Sequence, residues 1–444
     1  MLEAQREALA AGVLDAAGAA DQAEVSVFSS DASLTRFTHE VSNQNVSASD
    51  VVLSVRAVVG GRTGVAATNR LDDASLKDLV ERAMAMARLA PSDPQQPPLP
   101  TGAPTTPPAA AYDEATADAG AALRAQMCET IFTQAEREKQ WCAGYVSTAR
   151  SGFTIVNTSG ARASFDGTDA GLNVKMNASD STGFAESHSP AVAAVDAAAT
   201  AHTASAKARD SAAPQAVEAG AWTVILEPSA FGELFAYLGS HFSAQSFEEG
   251  SSFCSDGLDR SYFGENVSVY DDYAHPLNPG MPFDYEGQPT LRLPLVDGGV
   301  VRNVVTDSYY AAKLNRPNTG HALPAPNAQG PQARNLVVAA GSKPLAQLVE
   351  ETKRGLLITR FWYIRTVDQK KAIVTGMTRD GTFLIENGRI AGGVRNLRFN
   401  QSILDALRGC ELSNEQKRTG GYHYSIVTPA LKVDNFHFSS TTQF

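Results

Sequence analysis

Val51-Val52-Leu53-Ser54-Val55-Arg56-Ala57-Val58-Val59-Gly60-Gly61-Arg62-Thr63-Gly64-Val65-Ala66 is the stretch that decides the fold class. Leu53, Val55, Ala57 and Val59 alternate with Val52, Ser54, Arg56 and Val58, the two-residue period of a strand. Gly60-Gly61 accepts positive φ without a Cβ clash, so the chain is expected to reverse there into a β-hairpin. Upstream, Val25, Val27 and Phe28 suggest another strand, after a helix over about 3–17. Downstream, Asp72 or Asp73 can cap a helix whose apolar stripe is Leu76, Leu79, Val80, Ala83 and Ala87 and which Pro91 ends.

Residues 91–110 are Pro-rich with little apolar content, a linker composition. A long helix is expected over 113–139. Strands are expected over 142–149, 154–157, 161–165 and 172–176, with Asn157-Thr158-Ser159-Gly160 as a turn, and an Ala-rich helix over 191–208. The composition shifts between Pro214 and Gly220, which places a domain boundary between 1–215 and 216–444. Beyond it, Trp222–Leu226 reads as a buried strand, and Pro228 stands where a helix begins. Phe231, Leu234, Phe235, Leu238 and Phe242 follow at helical spacing, then mostly strands and turns to Leu431-Lys432-Val433 and Phe436-His437-Phe438. Helices with antiparallel strands and no βαβ alternation give an α+β class: an N-terminal mixed helix/antiparallel-sheet domain, then a strand-rich C-terminal domain.

The chain has 444 residues, 43% hydrophobic and 19% charged, enough to bury a sizeable core. A net charge of -11 and no basic run argue against a nucleic-acid surface. The charged N-terminus does not resemble a signal peptide and no stretch suits a membrane span, so a cytoplasmic location is expected. Cys128, Cys142, Cys254 and Cys410 form no Cys-x-x-Cys pair and are expected to be buried thiols.

The chain contains no nucleophile elbow, phosphate loop, dinucleotide fingerprint or His-Glu-x-x-His. His39, His188, His202 and His275 lie in polar surroundings and are expected at the surface, while His423 and His437 fall near the terminal strand. Asp284 and Glu286, in Phe283-Asp284-Tyr285-Glu286-Gly287, could share a strand face and do acid–base work; alternatively they sit in a turn and meet backbone amides or an arginine. Arg354–Tyr363 is an apolar run leading into Phe361-Trp362-Tyr363, flanked by Arg360 and Arg365. It could line a peptide cleft or an interface, or form a core strand.

In this order, the segments resemble the TldD/PmbA family over nearly the whole chain. Arg36-Phe37 and Asn43-Gln44-Asn45-Val46 resemble its first strand motif, with Thr38-His39-Glu40 departing from it. Val58–Gly64 with Thr68-Asn69 resembles its first hairpin, and Phe283–Thr290 with Pro294–Val300 its central block. Gly381–Ile390 resembles its late hairpin, and Thr319-Gly320-His321-Ala322 the TldE (PmbA)-like branch.

The resemblance implies a function. TldD-like subunits are metallopeptidases carrying His-Glu-x-x-x-His, whose histidines bind zinc while the glutamate handles the water proton; TldE-like subunits pair with them and lack it. Here the motif falls on Ala236-Tyr237-Leu238-Gly239-Ser240-His241. Ala236 replaces the first histidine and Tyr237 the glutamate, leaving His241 alone, whereas a catalytic zinc usually needs three protein ligands. Cys410 does not fall cleanly on the family's late cysteine. The resemblance therefore implies no catalytic residue, metal or cofactor in this chain, and zinc in a TldD-like partner. The pair would form a heterodimer that hydrolyses peptide or amide bonds in short or unfolded peptides or in peptide-derived natural-product intermediates. His321, Arg360, Trp362, Tyr363 and Arg365 are the expected substrate or interface contacts. An autonomous hydrolase with unusual metal ligands and a non-enzymatic peptide-binding modulator are the alternatives.

Overall fold

The computed structural model describes residues 1–420 and 425–442. Six antiparallel strands form the first sheet: β1 (Gln22–Thr38), β2 (Val41–Val59), β3 (Arg62–Thr68), β4 (Trp141–Asn157), β5 (Arg162–Asn177) and β6 (Thr182–Ser189). Their order is β3-β2-β1-β4-β5-β6. The β2–β3 hairpin turns at Gly60-Gly61, with φ of 59° and 68°, between the paired residues Val59 and Arg62. Only residues without a Cβ adopt two successive left-handed positions easily, and this twist suits a two-residue turn.

Helices cover this sheet: α1 (Glu3–Ala16), α2 (Asp73–Leu89), the single turn α3 (Glu114–Ala117), α4 (Ala121–Arg137) and α5 (Ala197–Asp210). Asp72 is the residue that caps α2, accepting from the Ser75 amide at 3.0 Å. Leu79, Val80 and Ala83 of α2 then pack with Val25, Val27, Leu53 and Val55 of the sheet. The approach is so close that a Cβ on Gly64 would lie 2.2 Å from the Ala87 nitrogen. The helix expected over 113–139 is in fact two, α3 and α4, because the chain leaves helical geometry at Asp118 and restarts after Gly120.

The second sheet has twelve strands from residue 220 onward. Five of them close on themselves: β7 (Gly220–Leu226), β8 (Arg354–Asp368), β9 (Ile373–Glu386), β10 (Leu397–Ser402) and β11 (Ile426–Thr441). β7 pairs with β8 in parallel; the pairs β8–β9, β9–β10, β10–β11 and β11–β7 are antiparallel, so the ring has no free end. Phe361, Phe399 and Phe436, from three of these strands, meet with centroid separations of 4.6, 5.4 and 5.9 Å. All three are essentially inaccessible, and burying each contributes roughly 1.5–3 kcal/mol. α6 (Pro228–Phe235) lies against this ring with Phe231, Leu234 and Phe235 in the same core.

Charged pairs tie the N-terminal layer to the part of the chain that follows it. Arg56 of β2 meets Glu24 at 2.9 Å and Glu286 at 3.1 Å, and Lys175 meets Asp380 at 3.2 Å. Lys207 also pairs with Glu227, and Arg418 with Asp169. Two buried carboxylates share the one Arg56 cation, so burial and the repulsion from Glu286 push Glu24 up to about 7. Among the described residues no helix is long and apolar enough to cross a membrane.

Candidate functional site

A groove of about 980 Å³ opens between β8 and the chain that follows α6. Pro228 is pre-set for the first helical turn, and the apolar face of α6 anchors it to the barrel. At Ala236 the α-helix tightens into a 3₁₀ run, Ala236–Phe242, which carries the positions matched to the zinc motif. Ala236, Tyr237, Gly239 and Ser240 form one wall, and residues 360–366 of β8 form the other. Gln332, Ala333, Arg334 and Leu336 close one end, and Gln369 lines the groove as well.

A bulge shapes the second wall. The β8–β9 register shifts between Trp362 and Arg365, and Tyr363 is left-handed at φ 56°. An aromatic residue is uncommon there, and the bulge re-aims its side chain outward. Trp362 and Tyr363 are 45% and 61% exposed, while Phe361 and Ile364 face the core. The guanidinium of Arg365 sits 4.3 Å from the Tyr363 ring centroid, and that of Arg379 4.8 Å from the Trp362 ring. β7 pairs with β8 only through Ile358, so among the described residues the groove-facing edge beyond it has no strand partner there. Side chains fill that role: the Phe361 amide donates to Glu233 Oε2 at 2.6 Å, and Tyr237 Oη donates to the Ile364 carbonyl at 2.7 Å.

Glu233 is the groove's acid, and sequence reasoning missed it. Its signal was a single carboxylate set among the apolar positions of α6. Arg360 Nη2 lies 3.0 Å from its Oε1, yet burial outweighs that cation and pushes Glu233 up to about 7. Arg360 in turn stacks 4.2 Å over Phe184 of the first sheet, which ties this wall of the groove to the other layer. Arg334 was also missed. Its Nη2 donates to the Phe283 carbonyl at 3.1 Å, and its Nε is buried without a partner.

The structure therefore brings Arg360, Trp362, Tyr363 and Arg365 together on one wall, facing Ala236 and Tyr237. His321 is elsewhere: it has no exposed surface, so it cannot touch a ligand or partner directly. Its ring lies 3.0 Å from Thr319 Oγ1 and 3.3 Å from Asp271 Oδ1, the latter off the line of a good hydrogen bond. His188, expected at the surface, is also interior; its ring is 3% exposed and 3.2 Å from Glu186 Oε2. His39 and His202 are exposed, as is His437, and His423 lies outside the described residues. Asp284 and Glu286 sit in a turn. Asp284 accepts from the amides of Glu286, Gln288 and Ala322, each at 2.9 Å, and Glu286 pairs with Arg56.

The residues present do not fit a zinc ion. His241 is buried, and desolvation lowers it to about 4, so its ring is neutral. Its Nδ1 accepts the Phe253 amide at 3.3 Å, so Nε2 carries the proton. The one lone pair a metal could use is thus already engaged. Nε2 lies 3.4 Å from the Gln369 carboxamide, which accepts that proton when its oxygen is turned to the ring. The thiol of Cys410 lies 3.7 Å from the Leu407 carbonyl, and burial pushes it up to about 11, far from the thiolate a metal needs. Among the described residues, no three His, Cys, Asp or Glu side chains group so as to hold a metal.

Comparison with known proteins covers both layers. A PmbA/TldA metallopeptidase C-terminal domain model matches residues 219–440, and a domain 1 model of the same family matches 23–87. Metalloprotease PmbA of Escherichia coli O157:H7 is 25% identical over 206 residues, 45% of this chain and 43% of that protein. The zinc metalloprotease TldD homolog of Saccharolobus solfataricus is 24% identical over 208 residues, 44% of each. The match thus spans less than half the length of either relative. TldE from Thermococcus kodakarensis superposes with a TM-score of 0.87 at 19% identity, covering 97% of this chain and 99% of that one. A candidate modulator of a DNA gyrase from Thermotoga maritima gives 0.87 at 18%, covering 98% and 100%. At such identities the likeness is one of fold. The C-terminal model alone spans half the chain, and the domain order is preserved; the chain belongs to the PmbA/TldD metallopeptidase family.

Proposed function

We propose that this chain is the non-metal, TldE-like subunit of a heterodimeric metallopeptidase, and that its groove shapes the peptide site completed by a TldD-like, zinc-bearing partner. The observation that carries this reading is the chemistry of the vestigial motif. A methyl group stands at Ala236, the Tyr237 phenol is spent on the Ile364 carbonyl, and the lone pair of His241 is held by a backbone amide. None of the three can bind zinc or activate water, yet the groove around them is large and lined with aromatic and charged groups. The names of the related proteins, a metalloprotease PmbA and a TldE, support the same reading. The substrates would be short or unfolded peptides or peptide-derived amides, and the site of action the cytoplasm.

Co-expression with a His-Glu-x-x-x-His subunit tests this. The two chains are expected to co-purify, with zinc and peptidase activity only when the partner is present. Full activity and stoichiometric zinc in the isolated chain would instead mark an autonomous hydrolase. Peptide binding with no turnover in any mixture would mark a modulator.

A further inference from the structure

The groove gathers three arginines, Arg334, Arg360 and Arg365, around one carboxylate, Glu233. This runs against the chain as a whole, whose net charge is -11. Arg360 is neutralised at hand, by Glu233 at 3.0 Å and Asp380 at 3.9 Å. The other two meet no carboxylate within ion-pair distance among the described residues. Arg365 Nη1 donates to the Ile364 carbonyl at 2.8 Å and the guanidinium lies over Tyr363. Arg334 donates to the Phe283 carbonyl and lies 5.1 Å from the Tyr285 ring centroid, with its buried Nε unpartnered. A guanidinium presents five N–H donors, so both keep donors to spare, and their fork matches a carboxylate. Main-chain recognition is restricted on this wall, because Glu233 and Tyr237 already occupy the Phe361 amide and the Ile364 carbonyl. A peptide strand could pair with this edge only by displacing them, which leaves charge and the aromatic surface of Trp362 and Tyr363 to select a ligand.

We infer that the groove is a carboxylate receptor: it takes a short peptide by a carboxylate, at its C-terminus or on an acidic side chain, held by Arg365 and Arg334 beside the Trp362–Tyr363 surface. The inference rests on the peptidase-subunit reading for the nature of the ligand and adds the substrate feature selected.

The test is fluorescence anisotropy on the purified full chain with N-terminally labelled neutral hexapeptides. Four forms are compared: the free C-terminal acid, the C-terminal amide, the amide with one internal Asp, and the amide with Asn in that place. The acid, the Asp amide or both are expected to bind about 10-fold or more tightly than their neutral counterparts at low salt. Which form does so identifies the carboxylate's source, and the gap should narrow at high salt. Arg365→Gln, at an exposed position, should remove most of the preference; Arg334→Gln should do the same. Arg302→Gln, remote and paired with Asp259 at 2.9 Å, should not. Equal binding of acidic and neutral peptides, no binding of any, or a preference that survives Arg365→Gln would overturn the assignment. Co-purification with the zinc subunit is scored separately, so a failed pairing and a failed charge preference remain distinct results.

Discussion

Removing Arg360 tests the electrostatics of the groove most directly. In Arg360→Met the aliphatic stem is largely kept while Glu233 loses its cation at 3.0 Å. Glu233 sits near 7 in the native chain, against an ordinary value of 4.5. Without the guanidinium, burial drives it higher still. At pH 6 the carboxyl is mostly protonated in both proteins, so the variant loses only packing and neutral hydrogen bonds, about 1–2 kcal/mol. At pH 8 the native chain has released the proton and gained roughly 1.4 kcal/mol by doing so, one pH unit above its pKa; the variant has not. The penalty should therefore grow to about 3 kcal/mol at pH 8, the lower end of what breaking a buried pair costs. Urea unfolding at both pH values, for wild type, Arg360→Met, Glu233→Gln and the double variant, measures it. In the Glu233→Gln background the pH dependence of the Arg360→Met penalty should vanish, because the group that titrates against Arg360 is gone. A penalty equal at both pH values, or larger at pH 6, would refute the assignment of a raised, burial-driven pKa to Glu233.

The wild type itself should become more stable as pH falls from 8 to about 6.5. Glu24 and Glu233, both raised to about 7, take up protons in the folded state that the unfolded chain, near 4.5, does not; a pH titration of the urea midpoint that is flat or rising with pH in this window would contradict it. Below 6.5 His241, lowered to about 4, opposes the trend, since the unfolded chain then binds its proton first. Gly64→Ala should destabilise by about 2–3 kcal/mol, because its Cβ would meet the backbone of α2 and neither element can move freely; thermal unfolding reads this directly. Restoring the motif as Ala236→His with Tyr237→Glu should yield no stoichiometric zinc by elemental analysis, since the His241 lone pair stays engaged and the segment is 3₁₀ rather than α.

Local chemistry was legible in the sequence and long-range chemistry was not. The Gly60-Gly61 hairpin, the Asp72 cap and the buried strand at Trp222–Leu226 each follow from residues a few positions apart. The same holds for the turn at Asp284, whose Oδ1 meets the nearby amides of Glu286 and Gln288, whereas the arginine that Glu286 meets, Arg56, lies 230 positions away. From the sequence, strands are expected over 142–149, 154–157, 161–165 and 172–176. They are two long continuous strands, β4 and β5. Gly152 is there for space: a Cβ would lie 2.1 Å from Arg6 Nη1, whose buried guanidinium reaches Asp166 at 2.9 Å. Arg6 is remote in sequence, so no local pattern announces it. Glu233 is the same case at the site: its meaning depends on Arg360, 127 positions later.

The chemistry at the positions matched to the zinc motif amounts to more than two missing ligands. Once zinc is absent, every polar group it would have held needs another partner, because an unsatisfied buried donor or acceptor costs about 1–3 kcal/mol. Tyr237 and His241 have such partners in the Ile364 carbonyl and the Phe253 amide; the first bond links the two groove walls, and the second holds His241 in the core behind them. Reverting one position would break a brace without completing a coordination shell. What the groove keeps is a cationic rim and an aromatic ridge, beside motif positions whose polar atoms are already spent on the Ile364 carbonyl and the Phe253 amide.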